Sequence, residues 1–223
     1  MSALAEQSPA IPKPAARCAI ARRVTLALLL ALAATGMVAW FAREPLLRSA
    51  ADLWIVSDPL APADAVAVLG GGLETRPFIA ADYYRRGLAK KVLISNIRES
   101  RAEQLGVVMS HLAANRQVLL RLGVPESDIG TFGANLSSTR EEALALREWA
   151  QRTGSRSLIV PTEIFSARRV RWILHRVLGD AVTVRVAALD PTNYRRDDWW
   201  REVEGLVAFQ NEVVKYLYYR VKY

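Results

Sequence analysis

Three consecutive glycines, Gly70, Gly71 and Gly72, follow a short apolar run and precede Arg76. Glycine permits positive φ angles and close approach of a ligand to the main chain. Main-chain N–H groups at a turn that leads into a helix favour an anionic ligand, and the Arg76 guanidinium suits the same anion. The spacing matches neither the dinucleotide fingerprint nor the P-loop, so a tight turn without a ligand is the alternative.

A second set of candidates occurs later in the chain, where Ser138, Thr139 and Glu141 begin a predicted helix and Thr162 and Arg169 follow a predicted strand. Glu141 is the candidate general acid or base. The same Ser-x-x-Glu spacing is also a capping box, which accounts for Ser138 and Glu141 structurally. Arg169 is either a phosphate ligand or one cation on a solvated basic helix face.

These residues need elements that bring them together. Five short apolar segments, at residues 64–69, 91–95, 129–133, 157–160 and 182–188, alternate with helical segments. This alternation predicts an α/β fold, a doubly wound Rossmann-like and mostly parallel sheet of about five strands with helices on both faces. Loops at the carboxyl ends of such strands meet at one edge. The ligand-binding candidates at that edge are Gly70, Gly71, Gly72, Arg76, Ser95, Ser138, Thr139, Thr162 and Arg169.

Capping and breaking residues predict the limits of several elements. Thr75 is the expected N-cap of the first helix, and Ser100 with Glu103 forms a capping box for the second helical segment, broken near residues 113–115. Pro161 is expected to end the fourth strand.

The last helix, from about Trp199, is expected to pack on the sheet through Trp199 and Trp200. Its apolar residues form one stripe, which consists of Val203, Leu206, Val207, Val213, Val214, Leu217 and Val221.

Residues 24–42 contain no charged side chain and are long enough to span a bilayer. We interpret them as a transmembrane signal anchor, with a cleaved signal peptide as the alternative. The predicted organisation is a disordered cytoplasmic tail at residues 1–23, the anchor, a linker at residues 43–62 and an α/β domain at residues 63–223.

Charge on either side of the anchor predicts its orientation. Four basic residues precede it, whereas two basic residues after it are offset by two acidic ones; these are Lys13, Arg17, Arg22 and Arg23, then Arg43, Arg48, Glu44 and Asp52. The positive-inside rule predicts a single-pass protein of the inner (plasma) membrane with its C-terminal domain periplasmic or otherwise extracytoplasmic. The only cysteine, Cys18, then lies in the cytoplasmic tail.

The net charge of +8 does not indicate a nucleic-acid partner, because the basic residues are spread along helices that also carry acidic ones. His111 and His175 have no Cys or carboxylate at metal-ligand spacing. We therefore predict no metal site and interpret both histidines as structural or surface residues. The sequence identifies no cofactor.

Six segments resemble, in the same order, the YdcF-like family, also called domain of unknown function 218, which includes envelope proteins of the SanA and ElyC type. They are residues 63–72 (ADAVAVLGGG), Arg76, Ser95, residues 123–125 (GVP), residues 138–143 (STREEA) and residues 162–170 (TEIFSARRV). The resemblance implies a role in cell-envelope biogenesis, of peptidoglycan or surface polysaccharide. It also implies a phosphorylated, nucleotide-like or glycan-precursor ligand, with envelope-assembly proteins as partners.

The chain also departs from this family. Ser166 stands where the family has a histidine, and the acidic residue that opens the family's second helix corresponds to either Glu99 or Glu103. Serine cannot exchange a proton near neutral pH as imidazole does. Two functions therefore stay open: an enzyme that uses Glu141, and a non-catalytic ligand-binding or scaffold protein.

Overall fold

The computed structural model describes the backbone of residues 14–223 and the side chains of residues 22–223. The chain divides into two compact units, Met1–Leu47 and Arg48–Tyr223. The predicted disordered tail lies largely outside the described residues, as do Lys13 and the side chains of Arg17 and Cys18.

A single long helix, α1 (Pro14–Trp54), fills the described part of the first unit and contributes its last turns to the second. Among the described residues, its Arg22–Trp54 portion is the one segment long and apolar enough to cross a membrane, and its most apolar 18-residue window has a mean hydropathy of 2.1. The predicted anchor at residues 24–42 lies inside it. Residues 43–54 of the predicted linker belong to the same helix.

The second unit alternates strands and helices as predicted. In chain order these are β1 (Ala65–Val68), α2 (Arg76–Arg85), β2 (Val92–Ile97), α3 (Arg101–Gln104), α4 (His111–Arg121), β3 (Ile129–Leu136), α5 (Thr139–Thr153), β4 (Ser157–Glu163), α6 (Ala167–Leu178), β5 (Thr183–Leu189) and α7 (Val203–Lys222).

The five strands form one sheet in the order β3-β2-β1-β4-β5, and all four neighbouring pairs are parallel. The chain therefore runs outward from β1 to β3 and then returns to place β4 on the other side of β1. This confirms the doubly wound Rossmann-like fold. The direction of winding reverses between β1 and β4, and ligands bind at such a point in open α/β sheets.

Alternate residues of β1 enter two separate hydrophobic cores. Ala65 and Ala67 lie in the core that α5 and α6 cover, whereas Val66 and Val68 lie in the core that α2 and α4 cover. All four side chains are fully buried. Burial on both faces explains why the strand reads as a continuous apolar run.

Two predicted limits were wrong. Pro161 does not end β4, which continues to Glu163 because its pairing with β5 runs past the proline, as far as Glu163 opposite Leu189. The second helical segment is interrupted at residues 105–110, not at residues 113–115. The Ser100–Glu103 capping box is present, but it opens only the four-residue α3.

Residues just before β1 cover the outer edge of β5. Asp58 N–H donates to the Val186 carbonyl at 2.8 Å, and the Asp58 carboxylate accepts from Val186 N–H at 2.9 Å. The Ser57 hydroxyl accepts from Ala188 N–H at 3.1 Å. These bonds occupy main-chain groups that an edge strand otherwise leaves open.

The predicted apolar stripe of α7 faces outward instead of toward the core. Phe209 and Tyr216, on the other side of the helix, contact Trp54, and Trp199 is buried against Phe209 with ring centroids 4.5 Å apart. Gly205 permits this packing, since a Cβ there would lie 2.2 Å from the Trp199 carbonyl oxygen.

Candidate functional site

A cleft of about 630 Å³ lies at the carboxyl edge of the sheet, beside the β1–β4 reversal. Its lining residues come from the loops after β1, β2, β3 and β4 and from α7. They are Gly70, Arg76, Ile97, Arg98, Leu136, Ser137, Ser138, Thr139, Glu142, Glu163, Ser166, Arg169, Glu212, Lys215, Tyr218 and Tyr219.

The strand-side wall of this cleft, formed by Gly70, Arg76 and Glu163, is centred on the Arg76 guanidinium. Arg76 Nη1 donates to the carbonyls of Gly70 at 2.6 Å and Leu69 at 3.3 Å. Nη2 donates to the Thr162 hydroxyl at 3.2 Å and to the Glu163 carboxylate, and Nε donates to Glu163 at 3.1 Å. All five guanidinium N–H groups are thus used within the protein.

Glu163 is held as a carboxylate by these contacts. Burial raises its pKa, but the Arg76 charge and hydrogen bonds outweigh burial, so the pKa of Glu163 lies below its usual value. The Thr75 hydroxyl also donates to Glu163, at 3.1 Å. Thr75 is the N-cap residue of α2, as predicted, but its side chain makes no capping hydrogen bond.

The glycine loop does not present its N–H groups openly to an anion. Gly70 N–H donates to the Glu142 carboxylate at 2.6 Å, and Gly71 N–H points at His111 Nε2 at 3.2 Å. Gly72 adopts a φ of 58°, and a Cβ there would lie 2.3 Å from the Glu163 carboxylate. The glycines are therefore required for close packing against side chains of this protein, as well as for the turn.

Glu142 is the buried carboxyl of the cleft, with 5% of its surface exposed. Burial raises the pKa of Glu142 above its usual value, even though Gly70 N–H, the nearby Ser95 hydroxyl and the charges of Arg76 and Arg169 favour the carboxylate. Ser95 Oγ is fully buried and has no other hydrogen-bond partner in the described part of the chain. A carboxyl with a raised pKa is a proton donor suited to general acid catalysis.

The sequence-predicted acid, Glu141, does not line the cleft. Its carboxylate accepts from the N–H and the hydroxyl of Ser137, at 2.7 and 2.9 Å, and these bonds lower its pKa. Half of the predicted capping box is present, because the Ser138 hydroxyl accepts from Glu141 N–H. The other half is absent, because the Glu141 carboxylate accepts from Ser137 N–H and not from Ser138 N–H. The position does not support Glu141 as the acid, and Glu142 is the candidate instead.

A signal for Glu142 was present in the sequence. Glu142 lies four and seven residues before Leu146 and Trp149, so it shares their buried helix face. A carboxyl on the apolar face of a helix is exceptional enough to indicate a site.

The helix-side wall consists of Thr139, Arg169, Glu212 and Lys215. Arg169 binds Glu212 through Nε at 2.6 Å and Nη2 at 3.1 Å, and its Nη1 donates to the Thr139 hydroxyl at 2.8 Å. Lys215 Nζ also donates to Glu212, at 3.1 Å. Three of the five Arg169 N–H groups thus have acceptors among the described residues, which leaves two for a ligand.

The predicted site residues converge only in part. Gly70, Arg76, Ser138, Thr139 and Arg169 line one cleft, so three distant segments of sequence do meet. Thr162 and Ser95 are buried behind the lining. The sequence reasoning missed Glu142, Glu163, Glu212 and Lys215, the last two because α7 was not expected at this edge.

His111 brings an imidazole to the same edge, although the sequence indicated a structural or surface residue. Asn115 Nδ2 lies 3.1 Å from His111 Nδ1, while Gly71 N–H faces Nε2. Burial lowers the pKa of His111, and the Arg76 charge lowers it further. A neutral imidazole accepts at one nitrogen only, so it takes one of these two contacts at a time. Neither Glu99 nor Glu103 lines the cleft.

A second compartment of about 560 Å³ adjoins the first and shares Glu163, Ser166, Glu212 and Lys215 with it. Its remaining lining comes mainly from residues 191–194 and the first half of α7. Among residues 22–223 no group of three His, Cys, Asp or Glu side chains is placed to hold a metal ion.

Comparison with known proteins adds no functional assignment. No model of a known protein family matches the chain, and no curated protein matches it. One solved structure that matches is the reductase domain of an aureusimine biosynthetic cluster, at 11% identity and a TM-score of 0.30. The match covers 66% of this chain and 55% of that one, and a likeness this distant carries no argument about function.

Cations and hydroxyls dominate the part of the cleft that is open to a ligand. Exposed Arg98, the two remaining N–H groups of Arg169 and Lys215 face it, together with the hydroxyl of Ser138. The N-terminus of the 15-residue α5 opens into the same space. This chemistry suits phosphate oxygens more than it suits a cation or a purely apolar ligand.

Proposed function

We propose that this protein binds a phosphorylated small molecule of the glycan-precursor class in the cleft and transfers a proton to it from Glu142 in cell-envelope biogenesis. The observation that carries the proposal is the buried Glu142 carboxyl with a raised pKa, next to a cationic and hydroxyl-rich lining. The resemblance of the sequence to YdcF-like envelope proteins supports the class of ligand.

The phosphate is bound on the helix side. Arg76 has no free N–H group, and the N–H groups of Gly70 and Gly71 face protein acceptors. The sequence predicted that these three residues bind the ligand, but they hold the cleft wall in place instead. Arg98, Arg169 and the start of α5 supply charge and N–H groups to the phosphate.

In this reaction water attacks the phosphorus atom, the bond from phosphorus to the leaving-group oxygen breaks, and Glu142 gives its proton to that oxygen. The proton that the water loses restores the Glu142 carboxyl or passes to solvent. Burial disfavours the carboxylate and raises the pKa of Glu142, so the carboxyl keeps its proton to a higher pH than an exposed glutamate does. Protonation of the departing oxygen spares it a full negative charge, which is the usual contribution of a general acid. Gly70 N–H keeps the carboxyl oriented before and after the transfer.

The test combines binding and turnover with the full-length protein in detergent micelles. Thermal shifts and calorimetry are measured with nucleotides, nucleotide sugars and a short-chain polyprenyl phosphate, and hits are assayed for release of phosphate or a phosphoester. Glu142→Gln should keep binding and lose turnover by about 100-fold or more. Glu148→Gln, an exposed carboxyl on the same helix, is the matched control and should match wild type.

Other outcomes contradict parts of this proposal. Loss of turnover in Glu141→Gln but not in Glu142→Gln would show that Glu141, the residue predicted from the sequence, is the general acid. An absence of binding to every phosphorylated compound would overturn the ligand class.

A non-catalytic binding function is the second candidate. It is favoured by Ser166, since the serine donates to the main-chain carbonyl of Glu163 at 3.1 Å and offers no titratable group where the resembling family has a histidine. Binding without turnover in wild type and in Glu142→Gln alike would select this function.

We also propose that α1 anchors the protein in the plasma membrane through residues 24–42, with residues 43–223 outside the cytoplasm. The uncharged residues 24–42 and the basic residues before them support this topology. Alkaline phosphatase fused after Tyr223 should be active and a green fluorescent protein fusion dark. The reverse pattern would overturn the orientation.

A further inference from the structure

The outward face of α7 carries large apolar side chains that nothing in residues 48–223 covers. Val214 is 66% exposed, Leu217 58% and Val221 90%. They continue a line of exposed apolar residues that begins with Val203 and Val207 in the first turns. Their intervals of three, four or seven residues place them on one side of a helix with 3.6 residues per turn.

This face is distinct from the packing surface of the helix. The opposite side buries Gly205 and Glu212 and packs Phe209 and Tyr216 against Trp54. Removing the apolar face from water therefore requires something other than the folded unit itself. A contiguous apolar stripe of this length marks an interaction surface.

The charges beside the stripe indicate what that surface binds. In the second half of α7 the exposed charged residues are Lys215, Arg220 and Lys222, whereas Glu212 is buried in its ion pair with Arg169. Tyr218 adds an amphipathic ring, 53% exposed, on the same face. An apolar stripe bordered by lysine, arginine and tyrosine is the pattern of a helix that lies in the interface of an anionic bilayer.

We infer that the outward face of α7 docks on the anionic lipid surface of the membrane in which this protein is anchored. The inference rests in part on the proposed membrane anchor, which keeps the lipid surface at a high local concentration so that a modest affinity is enough for contact. The lysine and arginine ammonium and guanidinium groups extend to the headgroups while the apolar side chains enter the upper acyl region.

Docking has a direct consequence for the cleft. Lys215 and Tyr218 belong both to the border of the apolar face and to the lining of the cleft. A docked α7 sets the mouth of the cleft at the level of the headgroups. A phosphorylated ligand with a lipid tail then enters without leaving the bilayer.

The experiment uses the full chain in proteoliposomes, with Cys18→Ser removing the only cysteine. Single cysteines replace Val214 or Val221 and are labelled with an environment-sensitive fluorophore. The matched control is a labelled cysteine at exposed Gln151, near the end of α5 at the opposite edge of the sheet. Lipids brominated near the top of the acyl chain serve as the quencher, in vesicles with and without phosphatidylglycerol.

Fluorophores at Val214 and Val221 should shift to shorter wavelength and lose more than about half of their emission to brominated lipid, more strongly with phosphatidylglycerol. The Gln151 fluorophore should be unaffected. Full emission at Val214 and Val221 in every vesicle would overturn the inference. A spectral shift without quenching that grows with protein density would also overturn it, in favour of contact between two copies of the chain.

The two proposals fail in distinguishable ways. Extraction of the protein from vesicles by alkaline carbonate would contradict the transmembrane anchor. Retention after carbonate without quenching at α7 would contradict only the docked helix. Neither readout depends on turnover at Glu142.

Discussion

The two walls of the cleft use the same pair of residue types in different ways. On the strand side, Arg76 directs all five N–H groups to Glu163, Thr162 and two main-chain carbonyls. On the helix side, Arg169 uses three N–H groups, and all three of its acceptors are side-chain atoms. An arginine bound to main chain fixes a loop, whereas one bound to side chains keeps N–H groups for a ligand.

The largest effect is expected from Arg76→Met. The variant leaves the partly buried Glu163 without its cation and leaves the Leu69 and Gly70 carbonyls without donors. Loss of one partner of a buried pair costs about 3–5 kcal/mol. Urea unfolding of the full-length protein in micelles, followed by tryptophan fluorescence, measures this cost. The double variant Arg76→Met with Glu163→Met should recover little, because the carbonyls stay unpaired.

Arg169→Met should destabilise less, by about 2–3 kcal/mol, because Lys215 still neutralises part of the Glu212 charge. The double variant Arg169→Met with Glu212→Met should recover most of that loss, since no main-chain group depends on Arg169. Both variants should bind phosphorylated ligands more weakly than wild type. If the two double variants recover the same share of the lost free energy of unfolding, then the two walls do not differ in their dependence on main-chain hydrogen bonds.

Gly72→Ala should cost about 2 kcal/mol, because alanine is strained at positive φ and its Cβ would displace the Arg76–Glu163 pair. Gly71→Ala is the matched comparison. Gly71 also has a positive φ, of 85°, but its nearest atom to a Cβ is 4.0 Å away, so only the strain of about 1 kcal/mol is expected. The same unfolding measurement distinguishes them, and equal costs would show that packing against the strand-side wall is unimportant.

The smallest effect is a change in pH dependence. The pKa of Glu142 is higher in the folded protein than its usual value of 4.5, so the folded state binds the proton more tightly. This contribution to stability is full below pH 4.5 and declines as the pH rises through the folded pKa. Glu142→Gln should abolish that decline and still accept from Gly70 N–H. An unchanged pH profile of the urea midpoint would contradict a buried, protonated Glu142.

The sequence predicted the number and parallel type of the strands because the central ones, β1, β2 and β4, are short apolar runs buried on both faces. It predicted the β4 limit wrongly, since β4 continues past Pro161 through its pairing with β5, which runs as far as Glu163 opposite Leu189. Such a result depends on the pairing with another strand, which a local pattern does not contain.

The site was predicted less well for a related reason. The glycine loop, Arg76 and Arg169 were correctly expected at one edge, but their partners lie far away in sequence: Glu163 is 87 residues from Arg76, and Glu212 is 43 residues from Arg169. Spacing cannot show that a cation is already neutralised by such a partner. The buried Glu142 was accessible to helix periodicity and was overlooked because capping explained its neighbour.

The short cover over β5, made by Ser57 and Asp58, affects how this protein can be shortened. A soluble version that begins at Ala63, where the sheet starts, would leave the main chain of Val186 and Ala188 open to pairing with another molecule. It would also remove Trp54, whose indole donates to the Phe165 carbonyl at 2.8 Å. A starting point at Arg48 retains both, so the residues before β1 protect this edge from pairing with another molecule.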